Sequence, residues 1–566
     1  MKNLLSFAIL LVFILFSCES QKKESLVVSD QIRLNQVGYY PEATKEFIVA
    51  DLQAKSFEVI DQDQKTVFSG ELADRGTWAT SGEKVRMGNF SKLNAPGTYT
   101  IVLDGKTSSY SFEIKDDIYE DALKAAIKSY YFQRASMAID EAHGGIYKRA
   151  AGHPDDACLY HPSSGKSDGT LNSPGGWYDA GDYGKYIVNA SLTVGEMLLL
   201  LEQFPNAIED GSLNIPESGN GISDLWDELK YELDWILTMQ DDDGGVYFKL
   251  TALGFGGFIM PEAYDLDRYI IGKVTTSTLD FSAVLAQASR LYKEIDPAWS
   301  DKALKASVKA WNWAQKNNDI EFKNPEDVST GQYGDNEYSD DFFWAASELF
   351  LATKELNYKK AMKTYEQEYQ HQLADSWMHF VRNVGFHSLL ENKDALDPEM
   401  ASSLTEGHLN LADGILQKIN DHPYHIGLDS FVWGSNSDIL NQALILCVAH
   451  RISGDEKYLH GAEQITDYIF GKNATGYSFM TGFGSKKVMF PHHRPSGADG
   501  IKDPVPGFIL GGPNNDRQDA HEVDYTSEFA AKAFEDVEPS FASNEVCINW
   551  NAPAVYVLGY LQQAHK

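Results

Sequence analysis

Two aspartates lie three residues apart in an unusual segment of the sequence, GGWYDAGDYGKY at residues 175–186. The segment has neither helical nor strand periodicity, and glycines and aromatic residues surround Asp179 and Asp182. One interpretation is a turn that is closed by hydrogen bonds from these side chains to the backbone. The other is an active-site loop, because two facing carboxyl groups are the usual machinery for hydrolysing a glycosidic bond.

A third acidic candidate, Glu545, lies far along the chain in the segment FEDVEPSFASNEVCINWNAP at residues 534–553. It could stabilise the start of the last helix, whose dipole favours negative charge at the N-terminus. It could also face Asp179 and Asp182 across a sugar ring, because folding brings distant residues together. In that arrangement one carboxyl group protonates the leaving oxygen, and the other activates water or attacks carbon.

Two histidines and an arginine end the segment SFMTGFGSKKVMFPHHR at residues 478–494. His492 and Arg494 could hold sugar hydroxyls through hydrogen bonds, or they could lie on a surface loop. A zinc site at His492 and His493 is disfavoured, because adjacent side chains diverge and no acidic third ligand lies nearby. The candidate aromatic residues for substrate binding are Trp177, Tyr178 and Trp433.

The composition limits the class of protein. The chain has 566 residues, of which 43% are hydrophobic and 23% are charged, so it can bury a large core. Acidic residues outnumber basic ones by 82 to 48, which gives a net charge of −34. This charge argues against nucleic acid and polyanionic ligands, and it leaves neutral or cationic ligands open.

The first part of the chain, residues 30–115, is predicted to form a small immunoglobulin-like β-sandwich. Residues 99–103 and 110–114 alternate between apolar and polar side chains, and an Asp-Gly-Lys turn at 104–106 separates them. Short strands at such spacing are typical of a sandwich. Further strand-like segments are 45–50 and 56–60.

The pattern changes to helical periodicity over residues 116–566, with apolar residues recurring every three or four positions. Long loops rich in glycine, proline and aromatic residues separate the helices, and no segment is predicted to be a strand. About ten sequential helices favour an all-α barrel of helical hairpins. The predicted helices are 118–133, 187–203, 225–237, 276–295, 302–317, 340–356, 358–384, 437–452, 457–471 and 551–564.

Residues 1–17, MKNLLSFAILLVFILFS, have a basic start and an apolar run that is too short to span a membrane comfortably. Cys18 follows in a context that resembles a bacterial lipobox, and residues 18–29 form a polar tether. These features predict an exported protein that a lipid on Cys18 anchors to the bacterial cell envelope. A cleaved secretory signal peptide is the alternative. The three remaining cysteines make no disulfide framework.

Taken together, these segments resemble glycoside hydrolase family 9, an inverting family best known for endoglucanases. The Asp-Ala-Gly-Asp sequence at 179–182 resembles its catalytic-base motif, and residues 478–494 match a signature that ends in Pro-His-x-Arg. Residues 534–552 match a second signature, except that Cys547 replaces a small Ser, Thr or Ala. Residues 32–39, IRLNQVGY, resemble the start of the immunoglobulin-like module that often precedes this catalytic domain.

The resemblance implies an (α/α)₆ barrel and a role for each acidic residue. Asp182 is implied to be the general base, Asp179 to help hold the attacking water, and Glu545 to be the general acid. Inversion implies a separation of about 6.5–9.5 Å between the two catalytic carboxyl groups. Further residues that match active-site or substrate-binding positions are Asp536, His492 and Arg494.

Catalysis by two carboxyl groups needs no cofactor, but the resemblance raises two structural metals. A calcium site is implied near Glu337, Asp340 and Asp341, although Ser339 could simply cap a helix that begins with acidic residues. A structural zinc held by two cysteines and two histidines is not expected, because the segment 153–161 has a single cysteine.

The function that these features predict is endo-acting hydrolysis of β-1,4-type linkages in a β-glucan, with cellulose, mixed-linkage glucan and xyloglucan all possible. One alternative is an exo-acting glucosidase or glucosaminidase on oligosaccharides. Another is a noncatalytic glycan-binding lipoprotein, but a pure binder would not need Asp179, Asp182 and Glu545. The sandwich is interpreted as a packing module, because Trp78 is its only tryptophan.

Overall fold

The computed structural model describes residues 26–334, 336–369, 372–374, 380–428 and 430–566. The predicted signal segment and Cys18 lie outside the described residues. Within those ranges, no helix combines the length and the apolar character needed to cross a bilayer.

The N-terminal module is the predicted sandwich of two sheets. One sheet has the strand order β1-β10-β9-β5-β6, with β3 also paired to β10, and the other has the order β2-β4-β8-β7. The hairpin of β9 and β10 confirms the predicted turn at residues 104–106. The strands are β1 (Val27–Val28), β2 (Ile32–Arg33), β3 (Gly38–Tyr39), β4 (Glu46–Ala50), β5 (Ser56–Ile60), β6 (Thr66–Glu71), β7 (Ala73–Trp78), β8 (Glu83–Asn89), β9 (Gly97–Leu103) and β10 (Thr107–Ile114).

The sandwich core explains why these segments alternate. Phe47, Phe57, Phe90 and Phe112 face one another between the sheets and are almost fully buried. Strand β1 lies within residues 18–29, the segment predicted to be a polar tether. Its two residues are part of the sandwich, because they pair in parallel with the start of β10.

The second module is the predicted α/α barrel, and its described part has twelve helices of twelve or more residues. The even-numbered helices are buried on nearly all sides, as an inner ring requires, whereas α3, α5, α7 and α9 each have a more exposed face. They are α1 (Glu120–Gln133), α2 (Ile187–Gln203), α3 (Asp224–Thr238), α4 (Thr275–Leu291), α5 (Pro297–Ala314), α6 (Ser339–Thr353), α7 (Leu356–Tyr369), α8 (Phe380–Glu391), α9 (Pro398–Asp421), α10 (Ser435–Ser453), α11 (Glu456–Ile469) and α12 (Ile548–Ala564).

The structure corrects the sequence interpretation of two elements. The predicted helix 358–384 is two helices, α7 and α8. Helix α9 was not predicted, because its buried stripe includes the polar His408 and its sequence contains two glycines, which weaken helical periodicity and propensity.

The expectation that the barrel domain has no strand is wrong. A five-stranded sheet of order β12-β11-β15-β14-β13 lies within segments that were predicted as loops. Strand β14 is buried at every residue, so no polar alternation marks it. The strands are β11 (Cys158–Tyr160), β12 (Thr170–Leu171), β13 (Lys185–Tyr186), β14 (Tyr247–Thr251) and β15 (Tyr269–Lys273).

Candidate active site

Backbone hydrogen bonds join the three sequence motifs side by side. Ala180 forms an antiparallel bridge with Cys547, and the Ile548 amide donates to the Asp179 carbonyl at 2.8 Å. On the other side, the Arg494 amide donates to the Gly181 carbonyl at 2.9 Å. The loop with both aspartates therefore lies between the segment that carries Arg494 and the segment that carries Glu545.

Asp179 lies at this junction, and its side chain is fully buried. Its Oδ2 accepts a hydrogen bond from the Tyr333 hydroxyl at 3.2 Å and a weak one from the Cys547 thiol at 3.8 Å. Burial and the neighbouring Asp182 raise the pKa of Asp179 to about 8. Its Oδ1 has no hydrogen-bond partner among the described protein atoms.

Asp182 lies nearer the surface, with 9% of the residue exposed. Its Oδ2 accepts a hydrogen bond from the Gly184 amide at 2.9 Å. Lys249 on β14 lies behind it. Burial lowers the pKa of Lys249 to about 7, and the attraction of Asp182 offsets part of this effect.

Glu545 is half-buried and forms a parallel bridge with His492 through its backbone. Burial and the charge of Asp182 raise the pKa of Glu545 well above its ordinary value, and Arg494 opposes the shift. This raised pKa favours the protonated carboxyl group, which a general acid requires.

His492 and Arg494 both line this junction. The His492 Nδ1 atom lies 2.7 Å from the Glu538 carbonyl, and burial lowers the pKa of this histidine to about 4, so the ring is neutral. The Arg494 Nε atom donates to the Gly256 carbonyl at 3.0 Å. The guanidinium also lies 5.4 Å from the centre of the Phe258 ring, within reach of a cation–π contact.

Asp536 supports the site through the backbone. Its carboxylate accepts hydrogen bonds from the amides of Met489 at 2.9 Å and Phe490 at 2.8 Å, and Asn544 lies within 3.5 Å. Both of its oxygens contact the loop that leads to His492. These hydrogen bonds hold that loop in place, and the assignment of Asp536 to the active site stays a prediction.

The prediction that Trp177 and Tyr178 bind substrate is wrong, because both residues are at most 1% exposed. The Trp177 indole donates to Glu228 at 2.9 Å, and the Tyr178 hydroxyl lies 2.8 Å from His153. These buried aromatic residues anchor the loop of Asp179 and Asp182 to the interior of the protein. The third candidate, Trp433, is 38% exposed and packs on Phe541, as an aromatic residue at a binding surface would.

Three more aromatic residues near the site, exposed or partly exposed, were missed from the sequence. Phe255 is 52% exposed and lies close to Arg494, while Phe258 contacts His492 edge to face at 5.0 Å between ring centres. Phe490 is 60% exposed, two residues before His492. The signal for the first two was the loop sequence GFGGF at residues 254–258, where phenylalanines recur without helical or strand period.

The acidic residues implied as calcium ligands lie at the start of α6. Asp340 and Asp341 are buried in its first turn, and the Glu337 Oε1 atom accepts a hydrogen bond from the Ser339 amide. Across the described residues, no three His, Cys, Asp or Glu side chains are grouped so that they could hold a metal ion.

Comparison of the sequence with protein-family models identifies the family of each module. The model for Glycosyl hydrolase family 9 matches residues 119–558, and the model for the cellulase N-terminal ig-like domain matches residues 28–108. This chain belongs to glycosyl hydrolase family 9. The family 9 domain and its immunoglobulin-like module coincide with the barrel and the sandwich seen in the structure.

Individual relatives extend over almost the whole family 9 chain. It is 40% identical to the xyloglucan-specific endo-β-1,4-glucanase BoGH9A of Bacteroides ovatus, with 94% of this chain and 93% of that protein covered. It is 34% identical to endoglucanase D of Acetivibrio thermocellus, covering 94% and 84% respectively. Among solved structures, Bacteroides ovatus GH9 matches with a TM-score of 0.89 and 37% identity, over 95% of this chain and all of that one.

Proposed function

We propose that this enzyme cleaves a β-1,4-linked glucan within the chain and inverts the anomeric carbon. The observation that supports the proposal is the backbone junction, where the segments that carry Asp179, Asp182 and Glu545 are hydrogen-bonded side by side. The different surroundings of these acids supply the acid and the base that glycoside hydrolysis needs.

In the proposed reaction, Asp182 takes a proton from water while the water oxygen attacks the anomeric carbon. As the bond to the leaving oxygen breaks, Glu545 transfers its proton to that oxygen. Asp179 helps to hold this water beside Asp182. Neutral His492 and cationic Arg494 bind sugar hydroxyls beside them.

Isosteric variants test these roles. D182N and E545Q should each lower kcat by about 10²–10⁴-fold, because general acid–base groups contribute about that much. Thermal unfolding and circular dichroism should match the wild type. Full activity in a folded variant would contradict the role assigned to that residue, and proton NMR of the first anomer formed would test inversion.

Product analysis tests the mode of cleavage. Endo-cleavage should lower the viscosity of a soluble glucan early and release mixed oligosaccharides. Relatives named as a cellodextrinase, 31% identical, and a cellulose 1,4-β-cellobiosidase, 28% identical, make exo-cleavage the second candidate. Release of one short sugar without early loss of viscosity would favour that candidate.

We propose xyloglucan as the preferred glucan. The support is the relative named as xyloglucan-specific, which is 40% identical over 94% of this chain. Initial rates on xyloglucan, carboxymethyl cellulose and mixed-linkage glucan at equal mass concentration should then be highest on xyloglucan. A higher rate on carboxymethyl cellulose would contradict this preference.

We also propose that the enzyme is exported and anchored by a lipid on Cys18. The support is the apolar run of residues 1–17 followed directly by this cysteine. In cells, labelled fatty acid should be incorporated into the wild type but not into a C18S variant. Equal labelling of both would exclude the anchor.

Calcium binding at Glu337, Asp340 and Asp341 stays a prediction, supported by the oxygen-rich sequence at the start of α6. Adding calcium to chelator-treated enzyme should raise its Tm if these residues bind the ion. An unchanged Tm at millimolar calcium would contradict the predicted calcium site.

A further inference from the structure

One buried carboxylate pairs with two buried cations beside the catalytic loop. The Asp155 Oδ2 atom lies 2.7 Å from the Lys185 Nζ atom, and its Oδ1 atom lies 3.0 Å from the Arg268 Nε atom. The side chains of Asp155 and Lys185 are 0% exposed, and that of Arg268 is 9% exposed. None of the three is used in the proposed reaction.

Both cations also hold the backbone of the catalytic loop. The Lys185 ammonium donates to the Gly175 carbonyl at 2.8 Å, at the start of the loop. The Arg268 guanidinium donates to the Tyr183 carbonyl at 2.6 Å, one residue after Asp182. The Asp155 carboxylate therefore holds both Lys185 and Arg268, which bind the loop before Asp179 and after Asp182.

The surrounding fold makes this arrangement rigid. Lys185 lies on β13, which pairs with β14, and Arg268 directly precedes β15 of the same sheet. Asp155 has a left-handed backbone with φ of 49°, and its carbonyl accepts a hydrogen bond from the Ser173 amide at 2.7 Å. A non-glycine residue in that region needs surrounding contacts to hold it there.

Nearby titratable groups do not replace the charge of Asp155. Burial and the neighbouring Arg268 lower the pKa of His153 to about 2, so its ring is neutral. Burial and the neighbouring Asp155 raise the pKa of the Cys158 thiol to about 12. Arg149, which lies near His153, adds positive charge. Glu232 also interacts with Lys185, but burial raises the pKa of its carboxyl group well above the ordinary value. Neutralising Asp155 would therefore remove the one carboxylate that forms ion pairs with both cations.

We propose that Asp155 is a positioning residue for catalysis, which holds Asp182 in its reactive place through Lys185 and Arg268. The inference rests on the proposed hydrolysis of a glucan, because the effect of changing Asp155 is measured as a change in the rate of that reaction. A shift of the base by about 1 Å can cost about 100-fold in rate even when the substrate still binds.

The test compares D155N with D156N, an exposed neighbour that serves as the matched control. In D155N, kcat on xyloglucan should fall by about 100-fold while KM changes by less than about threefold. D156N should match the wild type in both measurements.

A second variant, R268K, keeps the positive charge but lacks the fork that reaches both Asp155 and the Tyr183 carbonyl. It should fold and lower kcat while KM stays close to the wild-type value, because the charge is kept and only the geometry changes. Wild-type kcat in folded D155N and folded R268K would overturn the inference. A wild-type enzyme that cleaves none of the three glucans would instead refute the proposed function.

Discussion

Glu545 and Asp179 lie in surroundings that favour the protonated carboxyl group, whereas a backbone amide donates to Asp182. Such differences let three similar side chains carry different roles in one site. The sequence could predict these residues, because the motifs are local. It could not predict their surroundings, since Tyr333 and Arg494 come from segments that only the fold brings together.

Arg494 limits how far the pKa of Glu545 is raised. In R494Q the loss of positive charge should raise this pKa further, so Glu545 would stay protonated to higher pH. The alkaline limb of kcat/KM should then move to higher pH, whereas R494K should leave it close to the wild-type position. A limb that moves to lower pH in R494Q would contradict this assignment of the acid.

Cys547 is the position at which this chain departs from the family signature, and its thiol contacts Asp179. A serine hydroxyl is a stronger donor than a thiol, so C547S should lower the pKa of Asp179 from about 8. C547A removes the donor and should raise it. Profiles of kcat/KM against pH should show the corresponding ionisation moving in opposite directions, and movement in the same direction would exclude this role of the thiol.

At the scale of elements, the helical period predicted most of the barrel, because inner and outer helices both carry long apolar stripes. Helix α9 and strand β14 were missed for opposite reasons. The stripe of α9 is interrupted by a buried histidine, and β14 is buried on both faces and so has no alternation. The segments of the active site are joined by isolated β-bridges, and single bridges produce no periodic pattern in the sequence.

Gly181 shows how closely these segments approach one another. A Cβ atom at this position would overlap the carbonyl of His492, which belongs to the neighbouring backbone. G181A should therefore push the two segments apart and lower kcat by about 100-fold. G257A is the matched control, because a Cβ there meets open space. Steady-state kinetics and thermal unfolding of both variants measure the effect, and equal kcat values would show that the junction tolerates the displacement.

At the scale of the whole molecule, the sandwich and the barrel share a buried polar interface. Arg33 and Tyr424 both contact Glu83, which joins the module to the loop before α10. Trp78 packs its ring on Tyr424 at 4.7 Å between ring centres. The sequence indicated two modules with different periodicity, but it did not show this contact, because each partner lies hundreds of residues from the other.

Glu46 lies in the same interface and makes its stability depend on pH. Its carboxylate accepts hydrogen bonds from Gln464 at 3.2 Å and Asn89 at 3.1 Å, and it lies 2.7 Å from the His425 Nδ1 atom. Although burial opposes ionisation, the hydrogen bond from His425 and the charge of Lys472 lower the pKa of Glu46 from 4.5 to about 2. The ionised group therefore stabilises the fold above pH 4.5, and this contribution is lost as the pH falls towards 2.

The lowered pKa of Glu46 corresponds to about 3 kcal/mol of stability at neutral pH. E46Q should lose about 2–3 kcal/mol of the free energy of unfolding at pH 7, measured by urea denaturation. Near pH 2.5 its stability should approach that of the wild type, because the wild-type carboxylate is then losing its charge. E58Q, on an exposed position of β5, should follow the wild type throughout. A difference between E46Q and the wild type that stays constant from pH 7 to pH 2.5 would show that the ionised carboxylate does not join the two modules.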